Sequence, residues 1–397
     1  MSSIELSSEV VAAIDIDRAV KLVQDVCRIP SVLGEEGALA HFLAETMQES
    51  GFEAVDLQPV VEDRPNAIGE MGFGAGPRVL FTGHMDTKPV SNGWSVTTPF
   101  SGEIIDGSVY AHGVMDMKAG LACQIAAMEA VRASGVPLAG TLAMAAVSDH
   151  MGNQLGAIAY FDKYTADMAV LGELTDNEIV IGHRGRYYFD ITVLGKSAHT
   201  CHKPLAINAN ELAAHAVIEL QASAYKPQIE SWVSELFGDE TFIVPGRIYG
   251  GLAPGGPSMI PDECVIRVDC RPQPGVSIED VRAEIDRCLA RAAERDPRFR
   301  AKVELADVKA GYVANRDEPV VTLLQEAVRT VRGSEPVLRA ENWLGDTASF
   351  GQKVPTVLFG PGGEPVYCPD EHLSIDDIVE ATKVYATFAS LALAPRD

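Results

Sequence analysis

Apolar positions recur at helical spacing near the start of the chain. Ile16, Ala19, Val20, Val23, Val26 and Cys27 line one face that stops at Pro30, and Leu39, Phe42, Leu43 and Met47 line another that ends at Gly51. The spacing predicts two helices ahead of the first strong strand. Short apolar runs bounded by glycine or charge then predict strands over 78–82, 141–147 and 168–171, separated by helices over 117–133 and 156–164. That alternation predicts an α/β fold with a mixed, mostly parallel sheet flanked by helices, its functional loops gathered at the strand C-terminal ends.

From about Tyr187 the rhythm changes. A strand (187–194), a helix (207–222), two strands (241–248 and 264–270), a helix (278–291) and a strand (301–305) describe a compact α+β sandwich. After Gly311 the α/β rhythm resumes with a helix over 319–331, a strand over 355–359 and a long helix over 375–393. The simplest organisation is one domain, 1–184 and 310–397, interrupted by another, 185–309. No internal repeat or low-complexity segment is present.

The composition fits a folded protein: 397 residues, 47% hydrophobic and 22% charged. Its 32 basic and 56 acidic residues leave a net charge of −24, which repels phosphate backbones and anionic lipid heads and favours divalent cations. Nucleic acid and membrane partners are therefore not expected. No run approaches the roughly 18 apolar residues of a membrane span, and Met1 to Val10 lacks the basic and apolar regions of a secretory signal. The seven cysteines are scattered without C-x-x-C spacing, which predicts a reduced, cytoplasmic protein.

Chemistry is densest at Thr82-Gly83-His84-Met85-Asp86-Thr87, directly after a strand. In extended chain a His-x-Asp pair points both side chains to one face, so the Asp86 carboxylate is expected to orient a metal-binding His84. A loop histidine beside a capping aspartate is the plain alternative. Asp116 sits just before an Ala-rich helix, where it reads as a helix cap or as a ligand. Glu173 follows an apolar run, and a carboxylate there needs a partner that a cation would supply. One histidine and two acids at neighbouring strand ends suit a divalent metal.

With these motifs the chain resembles the metallopeptidase-like, metal-dependent amidohydrolases that include acetylornithine deacetylase, succinyl-diaminopimelate desuccinylase, aminoacylase and glutamate carboxypeptidase. The resemblance runs from Ile29-Pro30-Ser31 to Cys368-Pro369-Asp370-Glu371. It rests on Gly83-His84-Met85-Asp86-Thr87, Asp116-Met117-Lys118, Gly195-Lys196-Ser197-Ala198-His199, Asp269-Cys270-Arg271 and Phe359-Gly360-Pro361-Gly362. It implies a zinc-exopeptidase-like, two-metal catalytic domain, an inserted lid that also dimerises, and hence a homodimer.

By that resemblance one metal is held by His84, Asp116 and Glu173. The other takes the shared Asp116, the second glutamate of an Asp-Glu-Glu motif and a histidine near the C-terminus, and the first glutamate of the motif is the general base. This chain reads Ser148-Asp149-His150-Met151-Gly152 at the motif and Val366-Tyr367-Cys368 at the C-terminal position. His150 therefore stands at the base position, and Met151 and Tyr367 at the private ligands of the second metal. A thioether and a phenol are poor ligands for a hard carboxylate-rich site. Two lost carboxylates balance one lost divalent cation, so the expectation is one metal per chain, zinc, manganese or cobalt.

His150 can serve as a base near neutral pH, ligate a displaced metal or fill space. Tyr367 can donate to an oxyanion or pack. His199 matches the lid histidine that stabilises the tetrahedral intermediate. Arg271 matches the lid arginine that clamps a substrate carboxylate, or is a strand-surface charge; Ser258 stands where relatives place an asparagine near that carboxylate. The expected activity is hydrolysis of an amide C–N bond in a small carboxylate-bearing substrate, such as an N-acyl amino acid or dipeptide. Aromatic amine deamination, acyl transfer, condensation, cyclisation and silent ligand binding stay open.

Overall fold

The computed structural model describes residues 3–251 and 258–395. The chain forms two units: Met1–Gly182 with Ala314–Arg339 and Gly345–Asp397, and His183–Val313 with Ala340–Leu344.

Three helices, rather than two, open the first unit: Ser3–Ala12, Ile16–Arg28 and Gly37–Glu49. The second begins at Asp15, whose side chain accepts from the Arg18 amide, and it buries Ala19, Val20, Leu22, Val23, Val26 and Cys27 along one stripe. An antiparallel pair that the periodicity did not reveal follows: β1 (Ala54–Val61) and β2 (Arg64–Gly72). β1 is a half-exposed edge strand carrying Pro59, so it lacks a run of buried apolar residues.

Five further strands of this nine-stranded sheet are β3 (Arg78–His84), β4 (Thr141–Val147), β5 (Met168–Leu171), β6 (Ile179–His183) and β7 (Thr356–Leu358). They lie in the order β1-β2-β4-β3-β5-β7-β6. The sheet is mixed: β4-β3-β5-β7 is parallel at the centre, and the pairs β1-β2, β2-β4 and β7-β6 are antiparallel. β3 and β4 are buried at every position except Arg78 and Thr141, as central parallel strands covered on both faces must be. Helix Ala119–Ser134 packs so closely that a Cβ on Gly120 would lie 2.0 Å from the Gly172 carbonyl oxygen. Only glycine allows this approach, which sets the Asp116 turn beside the end of β5.

The second unit has its own antiparallel sheet, in the order Phe242–Gly250, Glu263–Arg271, Arg186–Leu194 and Ala301–Lys309. Strict alternation along Arg186–Leu194 and Glu263–Arg271 buries Tyr187, Phe189, Ile191 and Val193 with Cys264, Ile266, Val268 and Cys270. Helices Ala209–Gln221 and Ile278–Arg295 supply Leu212, Ala216, Leu220, Val281, Ile285 and Cys288 to the same core. The latter helix begins with a capping box between Ser277 and Asp280. Arg184 is fully buried: its guanidinium donates to the carbonyls of Phe237, Glu240 and Arg271, and to Oδ1 of Asn342 at 2.8 Å. This bond explains why Ala340–Leu344 groups with the second unit, a return segment absent from the boundaries read off the sequence.

Candidate metal centre

The central strands of the first unit end together, and each delivers one side chain. His84 closes β3, and Glu173 lies two residues beyond β5. His150 sits in the turn that follows β4. Asp116 comes from the irregular turn Val114–Lys118 before the Ala-rich helix, with an extended rather than helical backbone (φ −122°, ψ 91°). His84 Nε2 is 3.0 Å from Asp116 Oδ1 and 3.8 Å from Glu173 Oε1. The His84 and His150 imidazoles stack, with centroids 4.1 Å apart and planes 9° from parallel.

His84, Asp116 and Glu173 are buried. His84 Nε2, Asp116 Oδ1 and Glu173 Oε1 lack a well-directed hydrogen bond despite their proximity. Buried polar atoms converging in this way need a common partner, and a divalent cation meets that need. The potential points the same way. Burial alone would lower the His84 pKa, but Asp116 and Glu173 push it to about 10. Burial, reinforced by Asp116 and opposed by His84, raises Glu173 to about 7. For Asp116, burial opposes ionisation but His84 outweighs it and holds the carboxyl below its usual range. Among the described residues, one group of His, Cys, Asp and Glu gathers ligand atoms within 4.8 Å: His84, His150 and Glu173. That group holds His150 where the sequence pointed to Asp116. Asp116 remains at the site through its contact with His84.

Asp86 acts differently from the expectation. β3 ends at His84, so side-chain alternation does not carry on to Asp86. The Asp86 carbonyl, rather than its carboxylate, meets His84 Nδ1 at 2.8 Å. The carboxylate instead accepts from the backbone amides of His150 (3.0 Å) and Met151 (2.7 Å). It therefore positions the His150 turn.

That turn is anchored at both ends. Asp149 takes Nη2 of Arg64 at 2.9 Å and the Asn153 amide at 2.9 Å, and Arg64 is held in turn by the buried Glu36. Gln154 Nε2 donates to the Gly345 carbonyl. None of Glu36, Arg64 or Gln154 stood out in the sequence, because their partners are distant along the chain.

Tyr367, expected as an oxyanion donor or packing residue, lies against the Asp116 carboxylate. Burial first, and Asp116 next, drive its pKa far above that of a free phenol, so it stays protonated. Glu371 was also missed. Its buried carboxylate accepts from Gly113 (3.2 Å), Met115 (3.1 Å) and Tyr367 (3.2 Å) backbone amides, tying the Asp116 turn to the C-terminal loop.

Burial pushes the Glu371 pKa from 4.5 to about 7 against those donors. The folded state then holds a proton that the unfolded state releases near pH 4.5, so this contribution to stability falls as pH rises through that window. Relative to Glu371→Gln, the wild-type unfolding free energy is expected to drop by about 3 kcal/mol between pH 4.5 and pH 8, read by urea titration. A pH-independent difference would show that Glu371 does not titrate in this range.

The other three candidates lie in the second unit. His199 pairs with Met259 in the short ribbon Ala198–His199 and Met259–Ile260, and the adjacent Ser258 carbonyl accepts from the Thr200 amide at 2.8 Å. His199 and Ser258 are thus neighbours, both exposed. Arg271, at the far end of Glu263–Arg271, is held by Asp269 through two bonds of 2.8 and 3.0 Å. As it stands it is a paired strand charge rather than an open carboxylate clamp.

The sequence profile described as Peptidase family M20/M25/M40 matches residues 80–391. Similar proteins include succinyl-diaminopimelate desuccinylase of Methylobacterium radiotolerans, 28% identical over 386 residues covering 93% of this chain and 95% of that protein. Acetylornithine deacetylase of Salmonella typhimurium is 29% identical over 373 residues, 91% of this chain and 92% of the relative. Among solved structures, aminopeptidase PepT from Bacillus cereus superposes with a TM-score of 0.78 at 22% identity, covering 96% of this chain and all of that one (100%).

Proposed function

The chain belongs to peptidase family M20/M25/M40 and is a metal-dependent hydrolase of C–N bonds; from that premise we propose that it cleaves the amide of an N-acyl amino acid or dipeptide with one divalent metal and His150 as base. The observation that carries the reading is the placement of His150, stacked on His84 and gathered with it and Glu173.

His84, Asp116 and Glu173 would hold the cation, which supplies charge to polarise the scissile carbonyl and acidify water. The residues do the rest. His150 accepts a proton from water, and the resulting hydroxide adds to the amide carbon while the carbonyl electron pair moves onto oxygen. When that pair returns, the C–N bond breaks and its electrons leave with nitrogen. His150 delivers its proton to that nitrogen, yielding an amine and a carboxylic acid. Asp86 holds the His150 turn through two amides, and Tyr367 stays protonated beside Asp116. His199 is proposed to stabilise the intermediate, and the family's small carboxylate substrates suggest that Arg271 turns from Asp269 to bind them. Ser258 is proposed to shape that end of the substrate. The inserted unit would serve as lid and dimer contact, giving a cytoplasmic homodimer.

The first test joins elemental analysis to a substrate panel. Protein purified with zinc, manganese or cobalt should carry one metal per chain and release free amino acid from some N-acetyl- or N-succinyl-amino acid. Two metals per chain would overturn the one-metal reading. Turnover confined to aryl amines or to acyl transfer would replace amide hydrolysis with one of those reactions.

A further inference from the structure

Asp346 lies outside every motif singled out in the sequence. It precedes the short helix Thr347–Phe350, where a capping aspartate would stand, yet its side chain makes no cap bond. Its carbonyl closes the turn instead, accepting from Ser349 (2.8 Å) and Phe350 (2.9 Å). The side chain is fully buried, and its Oδ1 is 2.8 Å from His150 Nδ1. A carboxylate taken out of water in this way is costly unless a donor or opposite charge meets it.

Two further bonds hold the His150 turn in register with Asp346. Gln154 Nε2 donates to the Gly345 carbonyl at 3.2 Å, and the Ser349 hydroxyl donates to Gln154 Oε1 at 2.9 Å. The imidazole is also fixed face to face against His84. The 2.8 Å contact is close but not well directed, like those around His84; an ionised carboxylate only accepts hydrogen bonds, so a neutral His150 facing it carries its hydrogen on Nδ1 and keeps the lone pair on Nε2.

We propose that Asp346 is a positioning residue: it takes the Nδ1–H of His150 and leaves the Nε2 lone pair for the reaction at the metal site. The His150–Asp346 pair would then do together what a single glutamate at position 150 does in the family pattern. This rests on His150 acting as proposed above.

The test reads the tautomer first. Long-range proton–nitrogen NMR of the zinc-loaded full chain, labelled with ¹⁵N-histidine, should show His150 protonated on Nδ1. A proton on Nε2 with a bare Nδ1 overturns the proposal, and this measurement needs no variant. Asp346→Asn, whose amide can donate to Nδ1, should move the proton to Nε2. On the acyl amino acid selected by the panel, Asp346→Asn should lower kcat by about 10²-fold or more, but by no more than His150→Ala does, with little change in KM, and Asp346→Glu should recover part of the loss.

A double-variant cycle separates positioning from general structural support. In a His150→Ala background, Asp346→Asn should cause no further loss, because the carboxylate acts through the imidazole. A further loss of the full size would overturn the proposal. If His150→Ala leaves turnover intact, the base reading fails. If His150→Ala inactivates and Asp346→Asn does not, the positioning role alone fails.

Discussion

Replacing His84 with alanine is expected to empty the metal centre and lower turnover by about 10³-fold or more. The ring is fully buried, its Nδ1 is committed to the Asp86 carbonyl, and its Nε2 faces both Asp116 and Glu173. The variant would leave two buried carboxylates facing each other without the imidazole, which weakens cation affinity by removing a donor and by loosening Asp116. Metal content should fall well below one per chain after dialysis. The stabilisation that metal confers on the wild type, about 4 kcal/mol at a thousandfold excess over Kd, should vanish with it. A His84→Ala protein that keeps stoichiometric metal would show that the ligands lie elsewhere.

Alanine at position 150 is the second large effect. If His150 carries the proton between water and the leaving nitrogen, kcat should fall about 10²- to 10⁴-fold, with metal content and KM nearly unchanged. The amides of residues 150 and 151 stay on Asp86 whatever the side chain, so the turn should persist. Loss of metal together with activity would make His150 a ligand. Unchanged turnover would remove it from the mechanism.

Much of this site is legible in the sequence because its ligands end apolar runs. β3 and β5 are written as continuous buried stretches, with His84 closing the one and Glu173 two residues beyond the other, whereas His150, three residues past β4, is picked out only by the motif position it fills. The parallel centre of the sheet brings those ends together. What stays hidden is the support. Asp346 reaches His150, Glu371 reaches Gly113 and Met115, and Arg64 joins Glu36 to Asp149, all across long stretches of chain with no local signature.

One of two readable features pulled the wrong way. Period-two alternation made the Asp86 carboxylate the partner of His84, but the strand ends at His84, two residues short of Asp86. The same rule, applied to Asp269 and Arg271, places both side chains on one strand face, where they pair. The clamp role comes from the resemblance, and the arginine reaches it only by leaving this neighbouring acid. β1 stays hidden for another reason: a half-exposed edge strand carries too few buried positions to show a period.

The turn after β4 is gripped by its flanks: Asp149 on one side and Gln154 on the other are fastened to Arg64, Gly345 and Ser349, while Asp86 holds the main chain between them. None of these bonds uses the side chain of residue 150 or 151. The two positions behave as an interchangeable insert in a fixed socket. Side chains at two adjacent codons can therefore change, and with them the proton chemistry proposed for this turn, without asking the fold to be rediscovered.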